Sequence, residues 1–210
     1  MPTASVLSVN VGTPQAVSTF KRTVTTAIWK TPVDGRVQAR GVNLDGDDQA
    51  DRRNHGGPDK AVYAYASEDT AWWEEELGRE LGPGAFGENL TLRGVDCTNA
   101  RVGERWAIGT AVFEVVQPRI PCFKLGLRLE DPRMLKRFAQ ASRPGAYLRI
   151  HTEGDVGAGD AVEILDRPEH GGTMRLISDA LMLDEGLRPQ ALRTPGLIPS
   201  LQSWLAEQPV

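Results

Sequence analysis

Apolar and polar positions alternate through the first two-thirds of the chain. Leu7, Val9 and Val11 share one face of the run from Ser5 to Val11, the two-residue period of a strand. Ala61 to Tyr65 and Glu88 to Leu92 read as further strands. Arg105 to Ile108 and Ala111 to Val116 flank Gly109-Thr110, a tight hairpin turn. Ala146, Leu148 and Ile150 alternate with Tyr147, Arg149 and His151. Gly154 to Gly159 reads as a turn-rich gap before a strand over Ala161 to Leu165. Many short strands with glycine-rich turns predict a barrel or curled sheet.

Elsewhere the period changes to that of a helix. Ser67 to Leu81 opens with a serine cap and acids in the first turn, then carries Trp72, Trp73 and Leu77. Asp131-Pro132 reads as an N-cap with proline at the first helical position, leading into Met134, Leu135 and Phe138. Thr173 to Leu183 sets Leu176, Ile177, Ala180 and Leu181 at helical spacing. Pro199 to Glu207 does the same with Leu201, Trp204 and Leu205. The predicted class is mixed β with helices (α+β). Residues 1–165 form a barrel core and 166–210 a small helical appendage, with the boundary near Arg167-Pro168. Trp72, Trp73, Trp106 and Trp204 read as core or edge packing.

Composition narrows the chemistry. The 210 residues are 40% hydrophobic and 25% charged, ordinary for a globular protein. A net charge of −4 gives no nucleic-acid surface, and no run approaches a membrane span. Met1 to Asn10 lacks the basic and apolar regions of a secretory signal. With two cysteines in all, a reducing cytoplasm is the expected compartment. Two cysteines are too few for the four-cysteine iron–sulfur pattern, and no Cys-x-x-Cys marks a zinc site.

Cys122 stands out. It lies in Gln117-Pro118-Arg119-Ile120-Pro121-Cys122-Phe123-Lys124, directly after an apolar strand, on backbone stiffened by two prolines. Residues 119–137 hold six Lys/Arg and two acids, and nearby cations favour the thiolate. Three readings stay open: an inert buried thiol, a nucleophile with His55 or His151 as base, or a thiolate ligand to a metal whose other ligands come from a cofactor. Cys97 lacks such surroundings and reads as structural.

A second segment, Arg52-Arg53-Asn54-His55-Gly56-Gly57-Pro58-Asp59-Lys60, joins two glycines to several cations. Backbone amides and cations of this kind suit an oxyanion. Spacing alone makes an ordinary polar turn the better account, and His170-Gly171-Gly172 repeats the tripeptide. Gly82-Pro83-Gly84-Ala85-Phe86-Gly87 fits a dinucleotide-binding pattern, but it follows a helix and precedes a strand, the reverse of what that site needs. It reads instead as a flexible loop presenting Glu88 and Asn89.

Taken together and in order, these segments resemble the MOSC domain, named after the C-terminal part of molybdenum cofactor sulfurase. The resemblance rests on residues 55–62 and 83–90, Val102-Gly103-Glu104-Arg105 to Ile108-Gly109, and Gln117 to Cys122. Arg143-Pro144-Gly145-Ala146-Tyr147 and Gly157-Ala158-Gly159-Asp160 complete it. It covers roughly 40–165. Length and helical tail make the chain most similar to the small stand-alone bacterial type, YiiM-like, with three C-terminal helices.

The resemblance implies a β-barrel-like fold that binds the pyranopterin molybdenum cofactor, with Cys122 as the protein ligand to molybdenum. Arg52, Arg53, Asn54, His55, Gly56, Gly57 and Lys60 would meet the cofactor's phosphate, with Arg119, Lys124 and Arg149 as further candidates. Glu88 and Asn89 would bond the pterin edge. His55 and Lys60 would serve phosphate or proton roles, and Tyr63, Phe86 or Tyr147 would stack a flat substrate. The implied activity is reduction of N-hydroxylated compounds such as 6-hydroxylaminopurine, a detoxification of damaged bases. Larger relatives carry an N-terminal barrel extension or an iron–sulfur module, for which this chain has no room. A separate flavin or iron–sulfur reductase would therefore supply electrons. The other reading is a carrier of cofactor or sulfur, with Cys122 as persulfide acceptor. The family's association with pyridoxal phosphate belongs to a domain expected to be absent here. The apolar faces of 173–183 and 199–207 would allow a homodimer, a docked reductase, or simple cover for the barrel.

Overall fold

The computed structural model describes residues 4–19, 22–50 and 56–207. The first strand is β1 (Ser5–Val11). It is followed by a hairpin, β2 (Gln15–Ser18) and β3 (Thr23–Thr26), and by the short strands β4 (Thr31–Pro32), β5 (Arg36–Arg40) and β6 (Asn43–Leu44). Next come β7 (Val62–Ala66), helix α1 (Ser67–Leu77) and β8 (Leu90–Arg93). The hairpin β9 (Arg105–Ile108) and β10 (Ala111–Gln117) precedes helices α2 (Phe123–Arg128) and α3 (Met134–Ala141). Strands β11 (Ala146–Thr152), β12 (Gly154–Gly157) and β13 (Val162–Asp166) follow. The tail holds α4 (Met174–Met182), α5 (Arg188–Leu192) and α6 (Pro199–Ala206).

Eight strands form one sheet in the order β13-β9-β10-β11-β7-β8-β1-β4. The sheet curls until β1 meets the segment ahead of β13. There the Val6 amide donates to Asp160 O at 2.9 Å, the Gly159 amide to Val6 O at 2.8 Å and the Val162 amide to Ala4 O at 2.9 Å. The expected barrel is thus a strongly curled sheet whose first strand is tied back to the segment before β13, while β13 beyond Val162 and β4 stay exposed. Its single parallel pair, β7 with β8, is the one that needs a crossover, and α1 supplies it.

Alternation explains which way the strands face. On β10, Ala111, Phe113 and Val115 are buried, with Val112 and Glu114 between them partly exposed. In β7 both faces are buried. Val62, Ala64 and Ala66 join the barrel core around Trp106, Phe113 and Leu148. Tyr63 and Tyr65 enter a second, aromatic cluster with Trp73, Phe86 and Phe138. There Tyr65 and Phe86 lie 4.6 Å apart and Trp73 stacks on Phe138 at 6.2 Å.

Several expectations change. Gly154–Gly157 is a strand, β12, paired with β5, because its backbone rather than its side chains carries the pairing. Helix α1 stops at Leu77, where Gly78 takes the left-handed conformation at φ 64°, and its N-cap is Ala66 rather than serine. Asp131 caps the turn before α3, accepting the Arg133 amide at 2.9 Å, and the helix itself starts at Met134. The short helix α2 directly after Cys122 was not anticipated.

The tail shares the barrel's core. Met174, Ile177, Leu197, Leu201 and Leu205 are buried in the same cluster as Val9, Leu90 and Trp106. Thr173 caps α4, its hydroxyl accepting the Leu176 amide at 3.1 Å. Leu201→Ala should therefore destabilise the whole molecule by about 2–5 kcal/mol. Denaturant unfolding followed by fluorescence and by circular dichroism should show one shared transition at a lower midpoint. Two separated transitions would mean that the tail unfolds on its own.

Candidate functional site

Cys122 lies at the meeting of two clefts. The pairing of β10 with β11 shifts register between Val115 and Gln117 and ends at Gln117 opposite Tyr147, just before Pro118. The chain leaves the sheet there, passes through Pro118 and Pro121, and sets Cys122 at the N-cap of α2. The first cleft, open to solvent, is lined by the cations Lys30, Lys60, Arg119 and Lys124 and by Asp47 and Asp48. The second is lined by Pro118, Ile120 and Pro121 together with Ile198, Ser200 and Trp204 of the tail. Lys60, Cys122 and Tyr147 line both.

Lys60 is held at this junction by its turn. Gly57 adopts φ 90° and opens a single helical turn over Pro58–Lys60. The Gly57 amide donates to Gln49 Oε1 at 2.7 Å, while Gln117 Nε2 donates to Asp59 O at 2.9 Å. Arg149 Nη2 donates to Asp59 Oδ1 at 2.6 Å, and Arg149 Nη1 to Glu114 at 3.1 Å. Arg149 therefore serves the turn and lines neither cleft. Gly56 lines the second cleft. Arg52, Arg53, Asn54 and His55 lie outside the described residues.

Arg119 is buried beneath the first cleft. Its guanidinium sits 5.0 Å over the Tyr63 ring and donates to Phe86 O. Burial works against its charge, but Tyr147, Tyr63 and Cys122 outweigh that effect and its pKa is raised. Asp47 gathers the opposite wall: it accepts from Lys30 Nζ, from the Gly12 amide at 2.8 Å and from Asn89 Nδ2 at 2.9 Å. Burial pushes the Lys30 pKa down, and Asp47 opposes that shift. Lys30, Asp47 and Gln49 escaped the sequence reading. None carries a local motif, and each acquires its role only from partners distant in the chain.

The segment 84–89 brings Asn89 to the first cleft but not Glu88. Glu88 is 1% exposed. Its carboxylate accepts the Gly84 amide at 2.7 Å, the Phe86 amide at 3.0 Å and the Thr91 hydroxyl at 2.9 Å. Glu88 thus binds its own loop and reaches neither cleft, although burial pushes its carboxyl above the usual glutamate range. Gly84 and Gly87 let this loop press on the chain at 28–30. A Cβ at Gly84 would stand 2.5 Å from Lys30 O, and one at Gly87 2.7 Å from an Ile28 side-chain carbon. Asn89 does line the first cleft, but its amide also bonds the Tyr63 amide at 3.0 Å and Asn10 O at 3.2 Å.

Of the three aromatics expected to stack a substrate, Phe86 is enclosed in the aromatic cluster and Tyr63 lies beneath Arg119. Tyr147 is the one that faces both clefts. His151 lines neither and has Nδ1 3.8 Å from Glu114. Cys97 is fully buried, and burial followed by Asp69 and Asp96 pushes its thiol well up, in line with a structural role. Trp204 takes the edge position of the two expected of it, with 44% of its surface exposed.

Residues 51–163, more than half of the chain, match the MOSC domain family. The chain belongs to the MOSC domain family. The uncharacterized protein YflK of Bacillus subtilis is 42% identical over 167 residues, covering 80% of this chain and 76% of YflK. A protein named reductase from Gibberella moniliformis is 36% identical over 149 residues, covering 69% of this chain and 26% of that longer protein. The crystal structure of YiiM from Geobacillus stearothermophilus superposes with a TM-score of 0.76 at 31% identity, over 97% of this chain and all of that one. This MOSC domain is thus similar to small stand-alone YiiM-like proteins. No helix among its described residues is long and apolar enough to cross a membrane.

Removing the Asp47 charge should loosen the cationic cleft. Asp47→Asn leaves the Lys30 ammonium buried without its counter-charge, a loss of about 3–5 kcal/mol. Urea unfolding at neutral pH measures it. A midpoint equal to wild type would mean that Lys30 finds another partner.

Proposed function

We propose that this MOSC domain is a molybdenum-cofactor-dependent reductase of N-hydroxylated compounds, supplied with electrons by a separate flavin or iron–sulfur reductase. The observation that carries the reading is the position of Cys122, with its thiol on the same cleft as Lys60, Arg119 and Lys124 and also on the wall of an adjoining, less charged cleft. The residues fit the group. Thiolate suits a metal in a sulfur-rich sphere. Lysine and arginine suit a phosphate, and here four cations face two carboxylates, of which Asp47 is already matched by Lys30.

In this reading Cys122 ligates molybdenum, and Lys60, Arg119 and Lys124 hold the anionic part of the cofactor. Arg53, Asn54 and His55 are assigned to the same contact on sequence grounds, as neighbours of the Gly56-Gly57 turn. Asn89 and Asp47 keep the wall rigid behind the pterin. When bound, the cofactor supplies a two-electron couple. The substrate takes up two electrons and two protons, its N–O bond breaks, and the amine and water leave. Lys60, which lines both clefts, would donate a proton to the departing oxygen. The relative named reductase supports the reaction class.

Expression in a host that makes the cofactor tests this reading. Molybdenum and pterin should copurify with the wild-type chain in equal amounts, and 6-hydroxylaminopurine should be reduced to the amine. Cys122→Ala should lose the metal and lower turnover by about 100-fold or more. Undiminished turnover in that variant would refute ligation through the thiol. Sulfane sulfur on Cys122 without molybdenum would replace the reductase by a sulfur carrier.

A further inference from the structure

We infer that the second cleft is the acceptor-substrate subsite and that Trp204, on the last helix, determines its preference for planar aromatic substrates. The chemistry of this inference rests on the reductase reading; its location rests on geometry alone.

Helix α6 shows two faces. Leu201 and Leu205, four residues apart, are buried in the core and fix the helix against the barrel. Ser200 and Trp204, also four apart, line the second cleft. Trp73 and Trp106 are enclosed, whereas Trp204 leaves 44% of its surface open. An indole held by an anchored helix, on the wall of a cavity, offers a flat apolar surface that a planar ring would cover. Pro118, Ile120 and Pro121 add apolar lining to the same cleft, which Cys122 and Tyr147 also line. Among the described residues, the cations Lys30, Arg119 and Lys124 belong to the first cleft alone, whereas the second pairs Lys60 and Asp59 with a mostly apolar lining. In this reading the anionic part of the cofactor sits toward the first cleft and the planar ring toward Trp204 in the second, with Cys122 on both. Stacking is indifferent to ring substituents, so the selection is for flatness and aromaticity and not for one particular base.

The test uses cofactor-loaded protein with a reduced viologen dye as electron source. It compares 6-hydroxylaminopurine with acetohydroxamic acid, which has no ring. Trp204→Ala should raise KM for the purine about tenfold, with a smaller effect on kcat, and leave KM for acetohydroxamic acid in place. Trp204→Phe should restore the purine KM. A separate reading needs neither turnover nor cofactor. Adenine has no N–O bond to reduce, and titrated into cofactor-free protein it should quench indole fluorescence in wild type but not in Trp204→Phe.

An equal rise in KM for both substrates would overturn the inference, as would quenching that persists in Trp204→Phe. So would a change from dimer to monomer in Trp204→Ala with KM unmoved, which would assign this face to a second copy of the chain. Adenine binding that depends on Trp204 in a protein that reduces nothing would leave the subsite standing and remove the reductase reading. Reduction with a KM indifferent to Trp204 would do the reverse.

Discussion

One buried carboxylate holds the site's architecture together. Asp47 lies almost wholly out of solvent, where an ionised group persists only if its neighbours replace water. Here they do: a lysine from the loop after β3, an amide from the end of β1 and a side-chain amide from the start of β8 converge on it. Three segments far apart in sequence are thereby tied at one point, and the wall of the cationic cleft is the surface they make. The same pairing neutralises Lys30; Lys60, Arg119 and Lys124 are the cleft's other cations.

The lower part of that wall follows a related logic. Glu88 is spent on the amides of its own loop, and two glycines allow that loop to lie against Ile28 and Lys30. A polar loop that would be mobile in isolation becomes part of the packed interior. Beside it, Arg119 crosses from the cleft toward the aromatic cluster, so the polar site and the apolar core share the Tyr63 ring.

Strands with ample β-branched or aromatic content, such as 5–11, 111–117 and 146–152, could be read directly from the sequence, but the face of 5–11 could not: a register shift between Val6 and Ser8 buries Val6 and Val9 and leaves Leu7 and Val11 half-buried. The helices of the tail were also legible. The short strands over 15–18, 23–26 and 36–40 were not, because four or five residues give a two-residue period too few repeats to stand out, even where Arg36 to Arg40 alternates. Strand 154–157 looked like a turn because glycine serves both turns and close backbone approach. In the site, Cys122, Lys60, Arg119 and Lys124 could be picked out, since prolines, glycines and charge mark them locally. Asp47 and Lys30 could not, because their meaning is a contact and neither has a distinctive neighbour. Glu88 misled for the opposite reason: an acid after a glycine-rich loop looks the same whether it serves a ligand or its own backbone.

The tie from the first strand to the segment before β13 sets an order on assembly. Residues 4–6 bond to residues 159–162, so the amino-terminal strand must wait for nearly the entire barrel to be synthesised before it finds its last neighbour. Contacts of such long range fold slowly. Until translation has passed that point, the nascent chain presents an open sheet edge, and the final helices add their leucines to a core whose outline is already drawn. For this molecule the interval of exposure on the ribosome is set by the connectivity of its first strand.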